Sequence, residues 1–364
     1  MGLIRLALAM AVLLGHLPNA GLAFMGAGLA VQGFFIVSGF YMSLVLAGKY
    51  KNIKLFYSNR LLRLAPTYYV VMVLAALCLF GLDASATASA DIFTSLIRNP
   101  TTALILAFEN IAVLGQDLLF WFTLDGKGDL VFNATGAVPA PPQTVVAWQA
   151  LLVPQSWSLS MELLFYSVAP FLSRLNWRAL AGLAVASVSL RLAGHALPVN
   201  YGLWQARLFP TALFLFVLGM LSQRALPYAA RFPKALGWLL SAGLLAAIVL
   251  LPMLELPDEP ARFLMYGLIA ASIPFIFNAF KNIGIDRWIG DLSYPLYLTH
   301  LMVIGLVLRF DPPRAVWLAI GGSLALSMVL LIVVDKRVDR WRQRRVAAIS
   351  PAPGSLSRPA VRHH

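Results

Sequence analysis

Apolar runs separated by short polar segments follow one another along almost the whole chain. Ten of them are long and apolar enough to be candidates for bilayer crossing: residues 3–17, 29–47, 65–82, 157–173, 179–193, 208–222, 236–252, 262–279, 291–309 and 315–334. The pattern predicts an all-α fold, a polytopic membrane helix bundle of about ten transmembrane helices, with residues 1–335 as one membrane domain.

An eleventh segment, residues 102–122, is apolar but carries Glu109, Gln116 and Asp117. If it does not cross the membrane, most lysines and arginines collect on one side, namely Lys49, Lys51, Lys54, Arg60, Arg63, Arg174, Arg178, Arg224, Arg231, Lys234, Lys281, Arg287 and the stretch from Lys336 to Arg345. Because basic loops face the cytoplasm, we interpret 102–122 as a re-entrant or interfacial helix in a protein of the inner (plasma) membrane, with both termini cytoplasmic. Residues 123–155 are then an external loop, and 336–364 a basic, disordered tail.

Composition agrees with a membrane protein and narrows its partners. The 364 residues are 60% hydrophobic and 12% charged, and the mean hydropathy is +0.79, which exceeds what a soluble core needs, so membrane lipids are partners of most helices. The net charge of +13 is typical of cytoplasmic loops and does not indicate nucleic acid. Cys78 is the sole cysteine, which excludes an internal disulfide and a thiolate metal site, and we expect no metal.

The first residues allow two interpretations. Residues 1–23 have one basic residue, an apolar stretch and a small-residue ending, as a cleavable signal has. Arg5 and His16 interrupt the apolar run, which favours a retained helix. These two residues are eleven apart, so on a helix they share one face, with about 16 Å between them along the axis.

Two further ionisable residues lie within apolar runs, Glu162 and His300. Such residues usually face a protein interior or a wet cavity and often serve function, so Arg5, His16, Glu162 and His300 are candidates for one site. For Arg5 and His16, the alternative is an arginine that snorkels to headgroups and a histidine at the interface. For Glu162 and the histidines, the alternative is a structural ion pair.

A second group of candidates lies just before the predicted third helix, residues 65–82, and in the second, residues 29–47. Arg60 and Arg63 are one turn apart and can converge on a phosphate, with Lys54 nearby; an anchor for anionic headgroups is the alternative. In "GLAVQGFFIVSGF" the glycines and Ser38 are typical of a helix-packing seam.

Taken in order, these motifs resemble the membrane acyltransferase-3 family. The resemblance rests on Arg5-x10-His16, "GFFIVSGF", Arg60-x-x-Arg63, "SWSLSMELLFY" and "LSYPLYLTH", and it extends to about residue 335. It implies transfer of an acyl group, most simply acetyl, from cytoplasmic acetyl-CoA to a hydroxyl of an envelope or secreted carbohydrate. We expect a stand-alone member, because a short basic tail follows the bundle.

For such a transfer, the chemistry of the candidate residues suggests their roles. His16 deprotonates the acceptor hydroxyl or briefly accepts the acyl group, since neutral imidazole is both base and nucleophile. Arg5 shares its face, Glu162 fixes the histidine tautomer, and His300 is a rival base. Lys54, Arg60, Arg63 and Ser38 are assigned to the coenzyme. A transporter or flippase of an envelope glycan or lipid, with the same residues as a proton relay, remains the competing class.

Overall fold

The structure, a computed structural model, describes residues 1–17, 24–48, 52–96, 99–135, 144–254 and 258–349. Its α-helices are α1 Gly2–Leu14, α2 Ala27–Gly48, α3 Ile53–Leu82, α4 Ala90–Leu96, α5 Pro100–Ala112, α6 Trp157–Leu172, α7 Trp177–Ala193, α8 Tyr201–Arg207, α9 Phe209–Arg224, α10 Leu226–Ala229, α11 Lys234–Leu250, α12 Asp258–Phe280, α13 Gly284–Phe310, α14 Ala315–Leu330 and α15 Lys336–Ile349. Three short strands are β1 Phe122–Leu124, β2 Leu130–Phe132 and β3 Val145–Val146.

The helical bundle is confirmed, but the predicted number of membrane crossings is not. Among the described residues, seven helices are long and apolar enough to cross a bilayer, and an eighth arises if α8 and α9, which meet at 47°, form one broken span. α1 has 13 residues and α6 has 16. A helix needs about 20 residues to cross the hydrocarbon core, so both are short for a crossing. The protein is a multi-pass membrane protein whose shortest core helices are enclosed by longer ones.

α5, within the segment interpreted as re-entrant or interfacial, is also short, with 13 residues. It starts at an Asn99 cap and ends at Val113 in the left-handed conformation. The 123–155 segment that follows is more ordered than a plain loop, because β1 pairs antiparallel with both β2 and β3. Leu124, Leu106 and Leu151 join a separate hydrophobic cluster here, so this segment forms a small cap with a core of its own.

Close helix contacts set the register of the bundle. α1 and α13 run in the same direction. The backbone amides of Gly2 and Leu3 donate to the Asp286 carboxylate at the start of α13, and His16, just past the end of α1, meets His300 farther along α13. A Cβ added at Gly290 would lie 2.7 Å from Gly2 Cα, so only glycine permits this approach. α2 packs against α9 in the same manner, with Gly39 against the backbone of Phe216.

The expected disordered tail is wrong for its first part. Residues 336–349 form α15, which continues from α14 through a π-helical turn at Leu331–Asp335. α15 packs against α3, where Asp339 forms an ion pair with Arg63 at 3.8 Å and Arg345 donates to Ser58 at 3.5 Å. The physical reason is that Asp339 on α15 meets Arg63 on α3, and Asp335 in the preceding turn accepts a hydrogen bond from Thr67 on α3. Residues 350–364 lie outside the described residues.

Candidate active site

A cavity of about 480 Å³ opens between α1, α2, α3, α6 and α13. Its cationic lining residues are Arg5, Arg60, Arg63, Lys281, Arg287 and Arg342. Lys281 and Arg287 are exposed, so they mark the open side of the cavity. All of these cations except Arg5 belong to the side predicted to be cytoplasmic.

The two arginines of α3 are held differently. Arg63 lies 3.9 Å from Asp291 and 3.8 Å from Asp339. Arg60 lies over the ring of Phe56 at 5.8 Å, and its Nη1 contacts the Met42 sulfur at 3.8 Å. Within the described part of the chain no carboxylate lies within ion-pair distance of Arg60, although the charge of Glu162 acts on it, and its Nε is buried without a hydrogen bond. Arg60 therefore presents more unused donor capacity to a ligand than Arg63 does.

Arg5, Ser38 and Glu162 line the interior of the same cavity. Glu162 accepts a 2.5 Å hydrogen bond from the Tyr166 hydroxyl, one turn along α6. Arg5 lies beside Gly290, where an added Cβ would be 3.4 Å from its Nη1. α1, α2 and α6 all face the cavity, so the Glu162 carboxylate lies among the cavity's arginines.

The closed end of the cavity is built from Ser158 and Tyr297. The Tyr297 hydroxyl lies 2.7 Å from Ser158 Oγ and donates to the Gln155 carbonyl at 2.7 Å. The Gln155 amide in turn donates to the Leu298 carbonyl at 2.5 Å. These bonds tie the start of α6 to the middle of α13 and fix the position of the Tyr297 ring.

His16 and His300 meet just beyond Tyr297. The two imidazole centroids are 5.1 Å apart, and the His300 ring is 5.8 Å from that of Tyr297. His16 is exposed at the end of α1, whereas His300 is fully buried. The histidines themselves do not line the cavity, because the Tyr297 ring stands between.

The hydrogen bonds of the two rings determine their tautomer. His16 Nδ1 is 2.8 Å from the Val12 carbonyl, and His300 Nδ1 is 2.7 Å from the Tyr297 carbonyl. A carbonyl accepts only, so in the neutral rings Nδ1 carries the proton and Nε2 keeps its lone pair. His300 Nε2 has no partner within the described structure. Each ring therefore offers the lone pair of its Nε2.

This geometry corrects two of the sequence-based predictions. Glu162 was predicted to orient His16, but the Val12 carbonyl holds the His16 tautomer and Glu162 faces the basic cavity with Tyr166. The prediction was wrong because α6 turns Glu162 toward the cavity that the α3 arginines also line, and not toward His16. Lys54 is exposed in the first turn of α3 and does not line the cavity, since it lies nearly two turns before Arg60.

Parallel packing brings the other predicted residues together at matched heights. Arg5 to His16 spans eleven residues of α1 and its extension, and Gly290 to His300 spans ten of α13, about 15 Å in each case. Sequence reasoning missed Tyr297, Ser158, Tyr166 and Asp291. "SWSLSMELLFY" and "LSYPLYLTH" contain three of them, and the signal was polar residues within an apolar helix.

Comparison with known proteins shows the family of the chain. The family described as "Acyltransferase domain" matches residues 1–335. The chain is 26% identical to the exopolysaccharide production protein ExoZ of Rhizobium meliloti (strain 1021), over 87% of this chain and 92% of that protein. It is 25% identical to acyltransferase MdmB of Streptomyces mycarofaciens, over 84% of this chain and 77% of that protein. No solved structure matches the chain. The match over nearly all the described helices shows that this chain belongs to the acyltransferase-3 family.

Proposed function

We propose that this protein transfers an acyl group, most simply acetyl, from cytoplasmic acyl-CoA to a hydroxyl group of an envelope or secreted carbohydrate. Family membership carries the acyl transfer. The carbohydrate acceptor follows from a relative named for exopolysaccharide production. The observation that supports the proposal best is a cationic cavity whose closed end, at Tyr297, adjoins two histidines with free lone pairs.

The cavity suits a ligand that is anionic at one end and apolar along its length. Phosphates of the coenzyme meet Arg60, Arg63 and the exposed Lys281 at the open side, where charge-assisted hydrogen bonds are strongest. The pantetheine arm extends past Arg5 and Ser38, and the thioester reaches Ser158 and Tyr297. Phe34, Phe35 and Val31 line this path, and their apolar side chains exclude water from the thioester.

His16 is the proposed general base, because its Nε2 lone pair is available and its ring is exposed to an arriving acceptor. Nε2 takes the proton of the acceptor hydroxyl as the oxygen attacks the thioester carbonyl carbon. The tetrahedral intermediate collapses, its C–S bond breaks, and the thiolate leaves. The imidazolium proton then goes to the thiolate, which restores the neutral histidine. His300, 5.1 Å away, is the rival for this role.

The direction of transfer requires the open side of the cavity to face the cytoplasm and His16 to face outward. Both ends of the chain are then cytoplasmic, as the distribution of basic residues predicts. A reporter enzyme fused after Arg345 is expected to report a cytoplasmic location. An exported reporter would reverse the orientation and place the open side of the cavity outside.

The chemical test is the covalent product. Purified protein in lipid vesicles is supplied with isotope-labelled acetyl-CoA and with envelope carbohydrate from a strain that lacks the gene. Alkali-labile label on the carbohydrate, detected by mass spectrometry, is expected with the wild-type chain and not with His16→Ala. Carbohydrate that changes sides of the membrane without gaining an ester would instead support a transporter or flippase.

A further inference from the structure

The Arg207 guanidinium lies in a corner formed by two aromatic rings. Its guanidinium carbon is 3.8 Å from the Phe120 centroid and 3.5 Å from that of Trp157. The two rings are inclined at 73° to each other, with centroids 6.3 Å apart. The Trp148 ring stacks on Phe120, with centroids 5.3 Å apart and planes 8° from parallel. Phe120, Trp148 and Trp157 are called the aromatic cluster below. Its cation–π contacts hold Arg207 and leave the five N–H donors for other acceptors.

The Arg207 donors have no protein acceptor in the described part of the chain. No carboxylate lies within ion-pair distance, and Nη1 is buried without a hydrogen-bond partner. Asp117, whose charge acts on Arg207, is already bonded by the Ser160 hydroxyl at 2.6 Å. Burial raises the pKa of this carboxyl group above its usual range. A buried guanidinium nitrogen without an acceptor, such as Nη1 of the half-buried Arg207, is costly unless a ligand oxygen completes it.

The aromatic cluster adjoins the closed end of the cavity. Trp157 directly precedes Ser158, whose hydroxyl is bonded to Tyr297. On its other side Trp157 meets the edge of Phe35, a cavity residue, at 6.3 Å. The charge of Arg207 acts on both His16 and Tyr297. Arg207 thus belongs to the neighbourhood in which the thioester and the basic nitrogens must meet.

A second buried arginine fixes the helix that carries Arg207. Arg191 is fully buried and donates to the backbone carbonyl of Gln205 at 3.0 Å, two residues before Arg207 in α8. It also lies 3.5 Å from Glu259 and forms a hydrogen bond with Tyr266. Arg191 is a positioning residue, because it holds the backbone of α8 while its own charge is neutralised. Arg207 itself is left preorganised, as a transition-state donor requires.

We propose that Arg207 is a further catalytic residue, which donates hydrogen bonds to the acyl carbonyl oxygen as it becomes an oxyanion. This inference rests on the proposed acyl transfer. When the acceptor oxygen bonds to the carbonyl carbon, the π electron pair of the carbonyl moves to its oxygen. The guanidinium stabilises that negative charge until the pair returns and the C–S bond breaks. The proton path through His16 is unchanged, and Arg207 itself gains and loses no proton.

The test compares three variants in lipid vesicles supplied with acetyl-CoA: Arg207→Lys, Arg207→Ala and the control Arg178→Lys. Arg178 is an exposed arginine that lies over Trp177 at 5.5 Å, so it shares the cation–π contact but lies away from the site. Two rates are measured, ester formation on envelope carbohydrate and acyl transfer to water. Binding of acetyl-CoA is measured separately, and circular dichroism checks the fold. Guanidinium chloride is added at low concentration to the alanine variant.

Loss of one preorganised oxyanion donor costs about 10²–10³-fold in turnover, and we expect that loss for Arg207→Ala in both reactions. Acetyl-CoA binding stays within a few-fold, Arg207→Lys recovers activity only in part, and guanidinium restores the alanine variant. Arg178→Lys behaves as wild type. Full activity of Arg207→Ala overturns the inference alone. Loss of carbohydrate esterification with unchanged transfer to water also overturns it, since Arg207 then binds the acceptor. A wild-type chain that consumes no acetyl-CoA overturns the proposed function itself.

Discussion

The two ends of the site hold their arginines by opposite means. In the cavity, Arg63 is shared between Asp291 and Asp339 at 3.9 and 3.8 Å. Beyond Tyr297, Arg207 is held between two aromatic rings at 3.8 and 3.5 Å, with no ion pair among the described residues. Carboxylate partners offset the cost of burying a cation, but they compete with an anionic ligand for the same donors. Aromatic faces hold the guanidinium plane and leave the donors free. The first arrangement suits binding and release of a coenzyme, and the second suits a transition state.

Substitution of the proposed base His16 is expected to give the largest loss of turnover. His16→Ala removes the proposed base at the far end and should lower turnover about 10²–10⁴-fold, because general base catalysis contributes that much. Acetyl-CoA binding, which depends on the cavity, should persist. The matched control is His195→Ala, since His195 stacks on Tyr201 with centroids 3.7 Å apart and lies away from the site. Near-normal turnover of His16→Ala, with His300→Ala alone inactive, would move the role to His300.

Arg60→Ala tests the other end. Loss of charge-assisted phosphate contacts should weaken acetyl-CoA binding by about 1.5–3 kcal/mol, with turnover at saturation nearly unchanged. Arg63→Ala should cost less, because two carboxylates already neutralise this arginine. Lysine at either position should rescue in part.

Lys54→Ala is the control for these variants, because Lys54 is exposed and outside the cavity. Isothermal titration with purified protein measures the affinities. If the double variant at Arg60 and Arg63 binds acetyl-CoA normally, both residues serve as anchors for anionic lipid instead.

Gly290→Ala tests whether both ends depend on one helix contact. The new methyl group would meet Gly2 Cα at 2.7 Å, so α1 must move away from α13, at a cost of about 1–3 kcal/mol. Because α1 carries Arg5 and His16, affinity and turnover should fall together. In Gly284→Ala, on the same helix, the added Cβ has no neighbour within 4 Å among the described residues. Thermal unfolding in detergent should separate the two variants, and equal stability would argue against the register described above.

Asp339→Asn is expected to have the smallest effect, with the opposite sign. It removes one competitor for Arg63, so acetyl-CoA should bind more tightly. The ion pair is partly exposed, with side-chain exposures of 25% for Arg63 and 29% for Asp339, and such pairs contribute less than about 1 kcal/mol. The gain should therefore stay under about fivefold and should shrink in high salt. Weaker binding in Asp339→Asn would mean that Asp339 positions Arg63 for the phosphate.

Much of the architecture was predictable because the membrane constrains it locally. Each of the ten apolar runs is helical in the structure, including 157–173 and 291–309. The number of crossings was not predictable in the same way, since α1 and α6 are apolar enough but too short. A hydropathy pattern reports the apolar surroundings of a helix, and a protein interior supplies those as well as lipid does.

The site residues also fall into two groups: those that local sequence could single out, and those whose role depends on distant parts of the chain. Arg5 and Glu162 could be singled out because a charged group in a membrane helix is unusual. Arg60 and Arg63 could be singled out because they lie one turn apart in a basic segment, and all four line the cavity. Arg207 gave no such signal, since it ends a short helix and lies just before the apolar run 208–222 instead of within it. Its importance depends on Phe120 and Trp157, which are 87 and 50 residues away in the chain. Glu162 was assigned to the wrong partner for a related reason, because helix depth does not say which neighbour a side chain faces.

The sequence by itself determined that this chain is a helical membrane protein, which of its polar residues lie inside apolar runs, and which family it resembles. Only the tertiary structure decided that α1 lies parallel to α13, so that Arg5 meets Gly290 and His16 meets His300. It also decided that Tyr297 lines the cavity and contacts His300, and that Phe120 and Trp157 hold Arg207. The physical reason is that hydrophobicity and helix periodicity act over a few turns of one segment. The choice of partner helix and its register depends on close packing between segments far apart in the chain.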